Sequence, residues 1–556
     1  MDRLVPIYKI LVGNRKHQLT GWYRDYKKTT ENIQRIKKRL EEGSYIKENA
    51  TYAGTIYEKD ETSFPCFVRH LLYEMENGVS SRGQSVLSNV NLDKFLGAEE
   101  FDEVITSLIT NPSLESYKKL KKFWESQDVG NNPVLVNRAI AACDTRVTST
   151  VDEGRFNQVF DWLQTEELIP TYENEAPQDW YSRNRFVMEE MKKQLGETEE
   201  DDLWISIFFW EMHINLANPF HLKKQIVKYG APGTGKTYQA KEVCSLQFDI
   251  WKSQFAESVE HQFEAHHELI QFHPSYSYED FIEGLRPVLD EKGEAQLQLQ
   301  NGVFKDLCIR AAKWEKDLYE LGVFEDLEKL TLKDVMKHAQ ALSSKAHWKK
   351  ILGYKNQEKK LSSLIPPFFL IIDEINRAEL SRVFGELMYC LEYRGPKGMV
   401  KTQYAQLNTE ATGLIKAGGA FQFFVPGNIY LLATMNTIDR SIESFDFALR
   451  RRFRWEEVLP DTELLRHHLT DINTNWPCLA DNLKSLNQAI KKQPFLGEDY
   501  CIGHAYLMNL PYAKNTKSQD VRRMIWKDSI APLLQEYIRG AGQPNLMHDF
   551  AKAFGI

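Results

Sequence analysis

The stretch Gln225-Ile-Val-Lys-Tyr-Gly230-Ala-Pro-Gly-Thr-Gly235-Lys236-Thr237 decides the fold. A short apolar strand runs into GxxxxGK[T], and Gln239-Ala-Lys-Glu-Val243 after it reads as helix. Phosphates need several converging backbone N–H donors. Gly230, Gly233 and Gly235 let the chain curl tightly enough to present them at a helix N-terminus, where the dipole also favours anions. Ala231, Pro232, Thr234 and Tyr238 complete the predicted nucleotide cradle. Lys236 adds a point charge at the β- and γ-phosphates, and the Thr237 hydroxyl is a predicted ligand of Mg²⁺.

A nucleoside triphosphatase also needs a carboxylate near the metal and one that handles water. Phe368-Phe-Leu-Ile-Ile372-Asp373-Glu374 is an apolar run without alternation, as a strand buried on both faces of a parallel sheet should be. It ends in two acids, and the carboxyl edge of such a sheet is where ligands bind. Asp373 is therefore assigned to Mg²⁺ and Glu374 to the attacking water. A third strand, Asn428-Ile-Tyr-Leu-Leu-Ala-Thr-Met435, ends in Asn436, which suits a sensor of the γ-phosphate or the lytic water. The triplet Arg450-Arg451-Arg452 sits between apolar anchors and suits an arginine finger reaching across a subunit boundary.

Around this centre the composition sets limits. At 556 residues the chain exceeds one compact domain several-fold. Its 42% hydrophobic and 27% charged residues exclude a disordered or collagenous chain. A formal charge of -8 makes no general case for a polyanion partner, so any nucleic-acid surface is local. Seven scattered cysteines without a CxxC pair indicate neither a disulfide framework nor a zinc site, and reduced cytoplasmic thiols are expected. No signal peptide and no apolar run of the roughly 18 to 20 residues a membrane span requires are read.

The acidic run Gly196-Glu-Thr-Glu-Glu-Asp-Asp202 suggests an exposed boundary, which gives three expected domains: 1–205, 206–458 and 459–556. In the first, helices are expected on either side of Asn111-Pro112, around Asn137–Cys143 and over Arg155–Leu163. Residues 1–50 carry twelve Lys and Arg against six Asp and Glu. Two readings stand there: a nucleic-acid surface on which Trp22, Tyr23 and Tyr26 stack bases, or an amphipathic helix with Ile33, Ile36 and Leu40 inward and the aromatics buried. The acid…ExK letters of Asp179, Glu190 and Lys192 fall in a predicted helix, so no nuclease site is assigned to this chain. Glu392-Tyr-Arg-Gly-Pro-Lys-Gly398 reads either as a pore-facing loop or as a plain surface turn. The lysines between Lys329 and Lys360 read as partner contacts or as solvated surface.

Together these residues look like an AAA+ ring motor, and the wording narrows the likeness. Asp373-Glu-Ile-Asn-Arg-Ala-Glu-Leu-Ser-Arg-Val-Phe-Gly-Glu386 and Met435-Asn-Thr-Ile-Asp-Arg-Ser441 closely resemble the McrB family, the motor subunits of modification-dependent restriction systems. Phe272-His-Pro-Ser-Tyr-Ser-Tyr-Glu-Asp-Phe-Ile-Glu-Gly284, Ile502-Gly-His-Ala-Tyr506 and Pro532-Leu-Leu-Gln-Glu-Tyr537 agree, so the resemblance covers about residues 218–556. It implies an α/β AAA+ P-loop core with a helical lid, beside a mainly helical or α+β amino-terminal region. It further implies a GTP-hydrolysing homo-hexamer stimulated by a McrC-type partner that carries a nuclease, acting on DNA with or without modified bases. By position in the motif, Asn436 is the sensor, Asp439 and Arg440 organise the site, and Arg451, then Arg452, is the finger. Gly503-His504 stands where broader AAA+ lids often place an arginine, and His504 is expected to pack or form a turn. The competing readings are an ATP-driven remodeller of protein complexes and a nucleotide-gated scaffold.

Overall fold

The Phe368–Asp373 strand sends Phe368, Leu370 and Ile372 into one core and Phe369 and Ile371 into another, which is why its sequence shows no alternation. The computed structural model describes residues 4–43, 79, 91, 94–95, 97–127, 129, 132–165, 168–170, 179–196, 201–215, 223–255, 262–289, 293–438, 450–508, 510, 516–539 and 545–556. They fall into two units, Met1–Asn218 and Pro219–Ile556.

The second unit is built on β1 (Gln225–Gly230), β2 (His267–Gln271), β5 (Phe368–Asp373), β8 (Ile429–Asn436) and β9 (Arg454–Glu457). These form a wholly parallel sheet in the order β2-β5-β8-β1-β9. The helix Lys236–Ser253 covers one face through Ala240, Cys244, Phe248 and Trp251, packed on Ile226, Ile371 and Leu432. The larger core on the other face includes Phe304, Leu307, Phe384 and Leu387. Downstream helices, among them Thr462–Ile472, Cys478–Lys491, Ser518–Ile525 and Leu546–Phe554, close on a separate core of Leu483, Leu486, Ile525 and Phe550 and form the lid. The expected α/β AAA+ core with a helical lid is thus present.

Two antiparallel hairpins were not expected: β3 (Glu283–Leu289) with β4 (Ala295–Asn301), and β6 (Ile415–Ala417) with β7 (Ala420–Gln422). The first is anchored by a buried Glu283–Lys305 ion pair, and Leu285, Leu289 and Leu297 lie exposed along it. The Glu392–Gly398 segment is a packed turn. Its Gly395 N–H donates to the Val425 carbonyl at 2.9 Å, and a Cβ on Gly398 would lie 1.8 Å from the Tyr393 oxygen. Lys333, Lys337 and Lys345 pair with Glu358, Asp334 and Asp317 of the same unit.

The described part of the first unit is helical: Leu4–Leu11, Lys16–Glu41, Phe101–Thr110, Leu114–Ser126, Pro133–Cys143, Glu153–Thr165, Trp180–Leu195 and Asp202–Asn215. The break at Asn111-Pro112 is where expected, and Ser113 caps the next helix in a reciprocal box with Ser116. The division of the chain falls after Asn218 rather than at 205/206. Ile205, Ile207, Phe208, Phe209 and Met212 of the last helix are all buried, so the acidic run precedes a helix of the first unit instead of ending that unit. Among the described residues of this stretch the amphipathic helix is present over Lys16–Glu41, with Tyr26 buried and Trp22 and Tyr23 half-buried. Tyr26, Ile33 and Ile36 are buried, Tyr23 stacks on Trp204 at 4.4 Å, and Trp22 meets Trp210 edge-on. Asp179 caps the Trp180–Leu195 helix by accepting the Ser182 N–H at 2.8 Å, and Glu190 and Lys192 lie along that helix. No described helix is long and apolar enough to cross a membrane.

Because Ile371 is fully buried on the strand that ends in Asp373, Ile371→Ala is expected to lower the stability of the second unit by about 2–5 kcal/mol in urea unfolding. Lys333→Ala, at a site whose side chain is 63% exposed, should stay within about 0.5 kcal/mol of the parent.

Candidate functional site

The parallel register of the sheet brings the chemistry-bearing residues to one edge. β8 lies between β1 and β5, with Gly230 opposite Asn436 and Ile372 opposite Ala433, so the three strands end at one sheet edge within two residues of each other. The loop between β1 and the following helix turns through Gly230, Gly233 (φ 72°) and Gly235 (φ 78°). A Cβ on Gly230 would stand 2.6 Å from the Val458 carbonyl oxygen, so glycine is required there. The Thr234 hydroxyl donates to the Ala231 carbonyl at 3.1 Å. Lys236 opens the helix with its side chain buried in the loop, its ammonium donating to the carbonyls of Gly230 at 3.1 Å and Ala231 at 2.7 Å. Tyr238 is exposed, and its hydroxyl donates to Glu242 at 2.7 Å.

The acids meet this loop directly. The Thr237 hydroxyl donates to Asp373 Oδ1 at 2.7 Å, and the Thr434 hydroxyl donates to the same oxygen at 2.6 Å. Thr434 in turn accepts the Glu374 N–H at 3.3 Å. Glu374 has φ 54° and ψ 49°, which makes it the only described non-glycine residue in the left-handed region. Such a conformation costs of order 1–3 kcal/mol and persists where surrounding contacts fix it. Here it turns the carboxylate so that Oε1 accepts from Asn436 Nδ2 at 2.5 Å, while Oε2 lies 3.6 Å from Arg377 Nε. Asn376 Nδ2 donates to the Asn436 carbonyl at 3.2 Å and ties the two strand ends together.

Thr237 and Asp373 offer hard oxygen donors side by side, and this set fits Mg²⁺, which typically takes one or two protein oxygens and completes its shell with water and substrate phosphates. Among the described residues no group of three or more His, Cys, Asp or Glu side chains offers an all-protein metal cage.

The lid docks on the phosphate loop. The Gly503 N–H donates to the Pro232 carbonyl at 3.1 Å and the Ala505 N–H to the Gly233 carbonyl at 2.9 Å. Contact is so close that a Cβ on Gly503 would lie 2.0 Å from the Gly233 carbonyl carbon, and one on Gly233 would meet the Tyr506 ring at 2.6 Å. His504 is buried, as expected, and its Nδ1 accepts the Asp461 N–H at 3.0 Å. Burial pushes its pKa down, against a smaller upward pull from Asp461.

The arginine triplet divides. Arg452 is 12% exposed and pairs with Glu392 at 2.9 Å, whereas Arg451 is 66% exposed and touches the same carboxylate at 3.4 Å. Arg450 lies over the Trp455 ring at 5.3 Å. Asp439 and Arg440 lie outside the described residues.

Sequence reasoning assigned no role to Thr434, Arg377, Glu392 or Tyr506. Thr434 carried a signal, since it stands two residues before Asn436 and so projects to the same face of β8. Arg377 lies three residues beyond Glu374, one short turn away. Glu392 and Tyr506 gave none, because their partners are distant in the chain.

Two protein families match. Residues 250–453 match the AAA domain of the dynein-related subfamily, and residues 478–543 match the McrB alpha-helical lid domain. The chain is 27% identical over 460 residues to the type IV methyl-directed restriction enzyme EcoKMcrB subunit of Escherichia coli (strain K12), covering 79% of this chain and 81% of that protein. It is 26% identical over 238 residues to the type II restriction enzyme BsuMI component YdiS of Bacillus subtilis (strain 168), covering 41% of this chain and 55% of that relative. With the lid match, the AAA match and a likeness that runs through most of both chains, the protein is an AAA+ protein similar to the McrB family.

Proposed function

We propose that this chain is the GTP-hydrolysing ring motor of a restriction system, driving DNA translocation and cleavage by a separate nuclease subunit. The observation that carries the reading is the meeting of Lys236, Thr237, Asp373, Glu374 and Asn436 at one sheet edge. That both relatives are restriction enzyme components supports the biological setting. The choice of GTP rests on the Met435-Asn-Thr-Ile-Asp-Arg-Ser441 signature, within which Asp439 and Arg440 are proposed to organise the site.

In the proposed mechanism the loop N–H groups from Gly230 to Tyr238 and the helix dipole hold the phosphates. Lys236 leaves its loop carbonyls for the β- and γ-phosphate oxygens. Thr237 and Asp373 hold Mg²⁺, which supplies charge neutralisation on the phosphates. Glu374 takes the proton of a water that attacks the γ-phosphorus; the bond to the bridging oxygen breaks and leaves nucleoside diphosphate and phosphate. Asn436 orients the Glu374 carboxylate and that water. Arg451, exposed, with one guanidinium nitrogen 3.4 Å from Glu392, is the proposed finger into a neighbouring protomer of a homo-hexamer, and Arg452, largely buried, the brace behind it. The first unit is proposed to recognise DNA, with or without a modified base.

Steady-state phosphate release with GTP and with ATP tests the reading, and a strong ATP preference would overturn it in favour of a remodeller of protein complexes. Glu374→Gln is expected to keep nucleotide binding and lose turnover by about 10²–10⁴-fold, whereas Lys236→Ala weakens binding by about 10–100-fold. Thr434→Val removes one donor from the Asp373 carboxylate and should lower turnover about tenfold. Arg451→Ala should leave binding intact and abolish turnover only in the assembled ring; mixing it with wild-type subunits separates a trans role from a cis one.

A further inference from the structure

The longest described helix of the first unit, Lys16–Glu41, carries eight lysines and arginines against three acids, in a chain whose formal charge is -8. Its charges are not spread evenly. At about 100° per residue, Arg24, Lys27, Lys28, Arg35, Lys38 and Arg39 fall within about one third of the circumference, and all six are exposed. Glu31 is the one acid of the helix in that arc. The opposite side is fixed to the unit: Tyr26, Thr29, Asn32, Ile33 and Ile36 are buried, and Tyr23 stacks on Trp204. What faces outward is therefore charge on a firmly packed helix, with no large apolar side chain in the arc. Nearby carboxylates hold it weakly. Arg24 lies 3.8 Å from Asp25 and Lys38 3.8 Å from Glu42, and the Arg24 and Lys38 side chains remain 60% and 76% exposed.

We infer that this outer face is a contact surface for the phosphate backbone of duplex DNA, which it holds without reading sequence or modification. From Arg24 to Arg39 the stripe runs about 22 Å, a length over which a duplex presents roughly a dozen phosphates. Lysines and arginines on a fixed helix answer that polyanion by releasing its condensed counterions, a gain that does not depend on the bases. An anionic bilayer is a poorer match. A helix that lies in a membrane surface needs an exposed apolar face, and the apolar face here is buried in the unit. A protein partner fits less well too, since interface cores are poor in lysine and rich in aromatic residues. Recognition of a base, modified or plain, then belongs to other residues of the chain. The inference rests on the reading that the first unit recognises DNA, and narrows it to one surface and one mode of contact.

Fluorescence anisotropy of the full chain with a labelled duplex, plain or methylated, across a KCl series tests it. Arg24→Gln, Arg35→Gln and Lys38→Gln together remove three charges from the stripe. Lys118→Gln, Lys121→Gln and Lys122→Gln together remove three exposed charges from the Leu114–Ser126 helix and serve as the control. We expect the stripe variant to bind both duplexes about 10- to 100-fold more weakly, to flatten the slope of log K against log salt by about two to three, and to keep its Tm. The control, and the charge-keeping pair Arg24→Lys with Arg35→Lys, should stay within about threefold of wild type. Wild-type affinity and slope in the stripe variant overturn the inference and leave DNA recognition by other parts of the chain standing. An equal loss in the control, a loss shared by the charge-keeping pair, or a loss confined to one of the two duplexes overturns it as well. So does tighter binding to phosphatidylserine vesicles than to DNA. A wild-type chain that binds neither duplex overturns DNA recognition and this inference together, while GTPγS binding that Lys236→Ala abolishes would leave the P-loop reading intact.

Discussion

One carboxylate oxygen organises the site. Asp373 Oδ1 accepts the hydroxyls of Thr237 from the helix after β1 and of Thr434 from β8. Three neighbouring elements are thereby fixed at one point, and the hydrogen bonds are charge-assisted, the stronger kind. Those contacts require the strands to end at one sheet edge, which the parallel pairing of β5, β8 and β1 supplies. Burial of both sheet faces holds that pairing, so the apolar run Phe368–Ile372 and the position of Asp373 are two aspects of one constraint.

The strained residue sits next to this point. Glu374 would be comfortable as glycine, yet it occupies the left-handed region with its N–H on Thr434 and its carboxylate on Asn436. A side chain whose direction is set by its own backbone and by a neighbouring strand loses little freedom when a water must be oriented. Under the proposed role of Glu374, local strain here would preset the direction of the water-orienting carboxylate.

How much of this was legible in the sequence follows from the length scale of each signal. The phosphate loop, the strands of Asp373 and Asn436 and the break at Pro112 are local patterns, and each stands where the residues indicated. The boundary was read at 205/206 because an acidic, glycine-containing stretch of sequence resembles a linker, and the burial of Phe208 and Phe209 in the helix that follows is not legible there. The β3–β4 hairpin was overlooked, although Leu297-Gln-Leu-Gln300 alternates with period two and Gly293 supplies the turn. The partition of Arg451 and Arg452 depends on Glu392, about sixty residues away in the chain, and no spacing rule reports such a contact.

The two main-chain bonds from Gly503 and Ala505 to the phosphate loop have a thermodynamic corollary. Lid tilt and nucleotide affinity are conjugate quantities: whatever tilts the lid away from Pro232 and Gly233 alters affinity by the same factor by which nucleotide resists that tilt. Reciprocity of this kind makes the loop a gauge as well as a grip, with a sensitivity set by backbone hydrogen bonds that, proline apart, no substitution of the donor residues deletes.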